Sequence, residues 1–232
     1  MFHGKKVIAI IPAREGSKGV VDKNIKILGN KPLVAWPIDV AKKSKYIDRV
    51  IVSTDGKKIE DIALSYGAEV INRPKFLAQD NSLVIDAIKY TINVVEEETA
   101  NLGFVIILEA TSPFRNVEDV DSAIELLLEY DSVATFVEAS LNPHRAWKID
   151  GNQVSTFLDG VNPWLPRQKL PTSYQLNGAV YAFRVDGLNK DSESLLFGNI
   201  AAIVMPKERS LDIDNEMDFL IAEVLIKEQK NV

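Results

Sequence analysis

The run KVIAIIP at residues 6–12, followed at 13–24 by AREGSKGVVDKN, decides the fold. A continuous apolar run rich in β-branched residues suits a strand buried on both faces, the condition met in a parallel sheet. The stretch after it carries two glycines, a serine and many charges, and reads as a loop. The alternation then continues. LVAWPIDVAKKS at 33–44 reads as a helix with an early proline, DRVIVST at 48–54 as a second buried strand, 57–66 as a helix stopped by Gly67, and AEVI at 68–71 as a short third strand. Val84, Ile85, Ile88, Ile92 and Val95 recur at helical spacing within 82–98, GFVIIL at 103–108 is a fourth buried strand, and an amphipathic helix at 117–130 precedes a strand at 131–138. Strands alternating with helices predict an α/β fold, mainly a parallel sheet with helices on both faces.

From 139 to 176 the pattern changes, with four prolines, two tryptophans and little helical spacing. This stretch reads as an excursion of short antiparallel strands and loops. Order returns with strands at NGAVYAF (177–183) and AAIVMP (201–206) and a helix at 215–229. Neither an internal repeat nor a linker is visible, so residues 1–232 are expected to form one domain with 139–176 as an insertion.

Composition excludes several function classes. A net charge of −6 over 232 residues makes a poor general binder of nucleic acid, which requires many phosphates to be neutralised. The absence of cysteine removes disulfides, thiolate catalysis and cysteine zinc sites, and His3 and His144 alone cannot build a histidine-rich metal site. The apolar run near the N-terminus is broken by Pro12, and no stretch has the length of a membrane span. A cytoplasmic protein is expected.

In an open α/β sheet, ligands bind beyond the carboxyl ends of the strands, and the polar motifs fall there. After the first strand come Arg14, Gly16, Ser17, Lys18, Gly19 and Lys23. Glycines let main-chain N–H groups approach an anion, arginine forks onto phosphate oxygens, and lysines act as point charges. The loop is neither a Walker A nor a GxGxxG sequence, and a basic surface loop is the alternative. Near the other end, LDIDNE places Asp212 and Asp214 two residues apart, so that in extended chain both carboxylates point one way, as a Mg²⁺ site beside substrate phosphates needs. The alternative is a helix start with Asp214 as N-cap and Glu216 and Asp218 near the positive end. LEATSPFR at 108–115 offers Thr111 and Ser112 to a ligand, or is a capping turn. The excursion carries His144, Arg145, Lys148, Trp164, Arg167, Gln168 and Lys169, suited to a flap over an anionic sugar or to a subunit interface.

Taken together, IIPAREGSKGVVDKN, VSTDGKKIEDIALSYGAEVINRPKFLAQD, LEATSPFR, LPRQKLP, NGAVY and SLDID resemble the acylneuraminate cytidylyltransferases over nearly the whole chain. The resemblance implies a Rossmann-like nucleotidyltransferase fold with a small dimerisation element, a homodimer, and activation of an acidic nonulosonate sugar with CTP to give the CMP-sugar and pyrophosphate. It implies that Arg14, Lys18 and Lys23 bind the triphosphate, that Asn24 and Arg73 lie near the base and ribose, and that Asp212 and Asp214 hold Mg²⁺. It places Lys148, Arg167, Asn177 and Tyr181 around the acceptor sugar, with Thr111 and Ser112 beside it and Phe197 reaching a neighbouring subunit. Base choice is then expected to rest on Pro12, Ala13, Asn24, Arg73 and Asp80, and catalysis on Arg14, Lys23 and Asp212. Relatives of this kind act on sialic, legionaminic or pseudaminic acids; another triphosphate such as GTP, a sugar 1-phosphate or amino-sugar acceptor, and a non-catalytic nucleotide-sugar binder are the alternatives.

One departure stands out. The family's glutamine after the fourth strand, which faces the sugar, is Glu109 here. At an effective dielectric near 20, like charges about 4 Å apart repel by roughly 4 kcal/mol. An acceptor with an amino group, or a neutral sugar, suits that position, unless an arginine such as Arg115 or Arg167 pairs with Glu109.

Overall fold

The computed structural model describes residues 1–17, 19–79, 82–189 and 191–229. The elements in chain order are β1 (Lys6–Pro12), β2 (Ile27–Leu28), β3 (Lys31–Pro32), α1 (Ala35–Lys43), β4 (Arg49–Thr54), α2 (Lys57–Ser65), β5 (Glu69–Asn72) and α3 (Val84–Glu98). They continue with β6 (Leu102–Ile107), α4 (Val117–Leu126), β7 (Ser132–Glu138), β8 (Trp147–Asp150), β9 (Gln153–Thr156), β10 (Tyr174–Arg184), β11 (Ile200–Val204) and α5 (Glu216–Gln229). A seven-stranded sheet runs in the order β11-β7-β10-β6-β1-β4-β5. All neighbouring pairs are parallel except those of β10, which runs antiparallel to both β6 and β7.

The alternation of side chains along β1 shows why this strand must be apolar on both faces. Val7, Ala9 and Ile11 enter a cluster with Val34 and Ile38, Ile59 and Ala63, and Val120 and Ile124, which ties α1, α2 and α4 to one face. Ile8 and Ile10 enter a second cluster with Ile88, Ile92 and Val95 of α3 on the other. The expected mainly parallel sheet with helices on both faces is therefore the observed one. Helix α4 begins with a capping box in which Asn116 accepts from the Asp119 N–H and the Asp119 carboxylate accepts from the Asn116 N–H. It ends four residues before the position read from the sequence, because residues 127–129 close as turns.

A third cluster positions the site. Phe219, Ala222 and Ile226 of α5 pack with Val20, Leu28, Leu33, Phe114 and Ile213. The C-terminal helix is thereby fixed against the first loop and the turn after β6, although these segments are far apart in sequence.

The excursion contains the expected short antiparallel strands, the β8–β9 hairpin. It leaves the sheet at Glu138 and re-enters at Tyr174, which are partners in the β7–β10 ladder, and Ala139 N–H donates to the Ser173 carbonyl at 2.8 Å. Trp164 is 83% exposed and Trp147, Ile149, Val154 and Phe157 are also exposed. Among the described residues, no helix is long and apolar enough to cross a membrane.

Candidate active site

Because β1, β4, β5 and β6 are parallel, their carboxyl ends open on one edge of the sheet, and a cavity of about 350 Å³ lies there. Pro12, Arg14, Ser17, Lys23 and Asn24 reach it from β1 and the following loop, Arg73 from the end of β5, and Glu109 and Thr111 from the turn after β6. Asp214 closes it from the segment before α5. The first loop and Asp214 thus share one cleft. Lys23 Nζ donates to the Ile213 carbonyl at 2.7 Å and lies 3.6 Å from Asp214 Oδ1. A Cβ at Gly19 would collide with the main-chain oxygen of Asp214, so these two stretches meet backbone to backbone. Gly16 adopts a positive φ of 74°, which only glycine takes without strain.

The loop is held from beneath. Asn24 is buried and its side-chain amide donates to the Arg14 carbonyl at 2.9 Å, which curls the loop back on itself. Arg14 Nη1 donates to the Ala78 carbonyl at 3.3 Å. Ala13 is buried in the core below and does not line the cavity. Arg73 is buried, its guanidinium is 3.9 Å from Asp55 Oδ1, and its Nε has no partner among the described residues. Burial pulls the Arg73 pKa down, Asp55 opposes this, and Arg14 adds like-charge repulsion. Arg14, Lys23 and Arg73 therefore concentrate positive charge inside an acidic protein, as a polyphosphate site requires. Lys18 and Asp80, also expected at this site, lie outside the described residues.

Asp212 and Asp214 flank the fully buried Ile213, whose N–H donates to the Thr111 carbonyl at 2.9 Å. Burial raises the Asp212 pKa, a hydrogen bond from Thr111 lowers it, and the Asp214 charge raises it. Asp212 Oδ1 is buried with no hydrogen-bond partner among the described residues. The helix-start reading of Asp214 is corrected here. Asn215 is the cap: its Oδ1 accepts from the N–H groups of Met217 and Asp218 at 2.9 and 3.1 Å. Asp218 returns the contact by accepting from the N–H groups of Asp214 and Asn215. The Asp214 side chain is left 77% exposed, facing Lys23.

Glu109 sits on the wall between this cavity and a second one of about 260 Å³, which Tyr181 also lines. A Cβ placed on Gly178 would lie 3.0 Å from Glu109 Oε2, 3.0 Å from Ser112 Oγ and 3.6 Å from Asp212 Oδ2, so a bare glycine lets these groups converge. Neither arginine expected to pair with Glu109 does so. Arg115 is buried, and donates from Nε to the Ala179 carbonyl at 2.6 Å and from Nη2 to the main-chain carbonyl of Glu109. Arg167 pairs with Glu138 at 3.0 Å. Burial and the Asp212 charge push the Glu109 pKa up to about 7, against the opposing pull of Arg115. Burial lowers Arg115 to about 10, and burial together with Glu109 raises the Tyr181 phenol.

The other expected sugar contacts are distributed differently. Ser112 is fully buried and donates to the Asn177 carbonyl at 2.8 Å. Asn177 is buried and engaged on both ends of its amide: Oδ1 accepts from Thr135 at 2.6 Å, and Nδ2 donates to Ser210 at 3.0 Å. Both support the cavity floor and do not line it. Lys148 and Arg167 are exposed on the excursion, with Lys148 Nζ 5.4 Å from the Phe157 ring centre. Phe197 packs on Phe183 in the core beside α3, at 5.8 Å between ring centres. Sequence reasoning gave no role to Asp55, which accepts from the Glu15 N–H at 3.0 Å and faces Arg73. Its place directly after a buried strand, in VSTDG, was the available signal.

A family model described as cytidylyltransferase matches residues 8–195. The chain is 34% identical over 230 residues to the N-acylneuraminate cytidylyltransferase of Escherichia coli, covering 97% of this chain and 53% of that protein. It therefore spans about half the length of that relative. It is 33% identical over 226 residues to the CMP-N,N'-diacetyllegionaminic acid synthase of Campylobacter jejuni, covering 95% of each. Among solved structures it is similar to CMP:2-keto-3-deoxy-manno-octonic acid synthetase complexed with CTP, with a TM-score of 0.69 at 17% identity over 98% of this chain and 100% of that one.

Proposed function

The chain belongs to the cytidylyltransferase family and is an enzyme of the nucleotidyltransferase type, and from that premise we propose that it activates an acidic nonulosonate sugar with CTP, giving the CMP-sugar and pyrophosphate. The observation that carries this reading is the meeting of Lys23 with the 213–214 segment across the cationic cavity. Relatives named for N-acylneuraminate and for N,N'-diacetyllegionaminic acid support the acceptor class.

In this reading the triphosphate lies along the first loop. Arg14, Lys23 and Arg73 neutralise its charge, and main-chain N–H groups of the loop around Gly16 and Ser17 approach its oxygens. The anomeric hydroxyl of the sugar attacks the α-phosphorus in line. The sugar oxygen–phosphorus bond forms as the bond to the α–β bridging oxygen breaks, pyrophosphate leaves with the electron pair, and the hydroxyl proton is released to water. Alignment and charge neutralisation supply the catalysis. Arg14 and Lys23 stabilise the departing pyrophosphate.

Asp212 and Asp214 would hold Mg²⁺. The unpartnered buried Oδ1 of Asp212 fits a cation, and two carboxylates leave room for phosphate and water ligands, as Mg²⁺ prefers. Bound there, the metal would supply phosphate neutralisation and a lowered hydroxyl pKa.

The whole chain is proposed to form one domain and a homodimer through 139–176. The exposed Trp147, Ile149, Phe157 and Trp164 on that excursion support an apolar interface. A cytoplasmic location is proposed on the grounds that CTP is found there. Pyrophosphate release measured with each of the four common nucleoside triphosphates, crossed with acidic and neutral sugars, tests the reading. CTP with a nonulosonate is expected to give the highest kcat/KM. A clear preference for another triphosphate or for a sugar 1-phosphate overturns it, and binding without pyrophosphate release revives the non-catalytic alternative.

A further inference from the structure

The second cavity has a lining chemistry of its own. Its charged and polar walls are Glu109, Glu193, Ser194 and Tyr181, and the remainder is aliphatic, including Leu176 and Leu195. Among the described residues it carries two carboxylates and no cation. The first cavity also carries two carboxylates, Glu109 and Asp214, but sets Arg14, Lys23 and Arg73 against them. Glu109 lines both. The nearest arginine along the chain, Arg115, donates to the main-chain carbonyls of Glu109 and Ala179, and its Nη1 has no hydrogen-bond partner among the described residues. It fixes the Glu109 backbone and makes no ion pair with the carboxylate among the described residues.

Two acidic groups on a small, otherwise aliphatic cavity repel an anion and favour a cation with donors to share. A sugar hydroxyl brings no compensating charge, whereas a protonated amine does. We propose that Glu109 is the specificity-determining residue of the acceptor site, and that the acceptor is an acidic sugar presenting a free amino group to it. Its own carboxylate is turned toward the cationic cavity. The inference rests on the cytidylyl-transfer reading and goes beyond it by naming the acceptor's substituent.

The test uses purified full chain with CTP and Mg²⁺, and N-acetylneuraminic acid set against analogues bearing one free amine in turn on the ring or side chain. Pyrophosphate release gives kcat/KM for each. At least one amine analogue is expected to be preferred over the N-acetylated parent by roughly 10- to 100-fold, the worth of one charge-assisted hydrogen bond, and Glu109→Gln is expected to abolish that preference. Equal or better use of the N-acetylated sugar by the wild type, or an amine preference that survives Glu109→Gln, overturns the inference. Should Glu109→Gln misfold, Glu109→Asp carries the test: the withdrawn carboxylate must weaken the preference, and an unchanged preference counts against the proposal. No pyrophosphate from any pair overturns the cytidylyl-transfer reading itself, and this inference with it.

Discussion

Replacing Glu109 by glutamine removes a single titration from a site where burial and Asp212 outweigh the pull of Arg115 and Lys23, and the structure gives its size and sign. In the unfolded chain the carboxyl loses its proton near 4.5, and in the folded protein near 7. Between those values the folded state binds more protons, so stability is fully present below about pH 4.5 and is lost as pH rises through about 7. The rise from 4.5 to about 7 corresponds to roughly 3 kcal/mol, of which most is lost between about pH 5 and pH 8.5. Glutamine keeps the shape and does not titrate. Urea denaturation of both proteins in the presence of chelator, at those two pH values, measures the difference while other titrating groups cancel. The variant is expected to gain roughly 2–3 kcal/mol on the wild type as pH rises. A stability difference that stays constant with pH would show that Glu109 is already charge-compensated, and the reasoning about its surroundings would fall.

Asp212→Asn is expected to lower pyrophosphate release by at least ~100-fold, a magnitude typical of losing one preorganised charge at a reacting centre, with no loss of thermal stability because a buried charge has been removed. Arg73→Ala should raise the KM for CTP by roughly 10- to 100-fold and abolish the nucleotide-induced rise in melting temperature. Gly19→Ala forces the loop away from Asp214 and should cost about 1–3 kcal/mol in denaturant unfolding along with most of the activity. Asn116→Ala breaks the α4 capping box and should cost about 1 kcal/mol while kcat/KM stays unchanged.

The strands and helices were legible because the parallel sheet writes itself as continuous apolar runs, and β1, β4 and β6 stand within a residue of where those runs lie. The direction of β10 was not legible. Its sequence, apolar over Ala179–Phe183, says that it is buried but not which way it runs, and the sheet order depends on where the excursion delivers it. The first loop and the aspartates could be named from their residue types, and their proximity could not, since it arises from α5 packing on Phe114, Leu28 and Val20. Asn177 shows the opposite failure. The resemblance gave it a place beside the sugar, yet its partners Thr135 and Ser210 come from separate strands and loops that only folding assembles. Asp214 was ambiguous for a local reason: Asn215 beside it is an equally good cap, and the geometry gave it the task.

The pairing of Glu138 with Tyr174 has a consequence for how this protein can change. The intervening stretch departs and returns at one rung of the ladder, so its length is decoupled from the register of every other strand. Whole loops could be exchanged or trimmed there without re-threading the sheet, and the edge they crown is the one on which the cavity lined by Arg14, Lys23 and Arg73 opens. Variation can therefore accumulate in one replaceable cassette while the sheet beneath stays still.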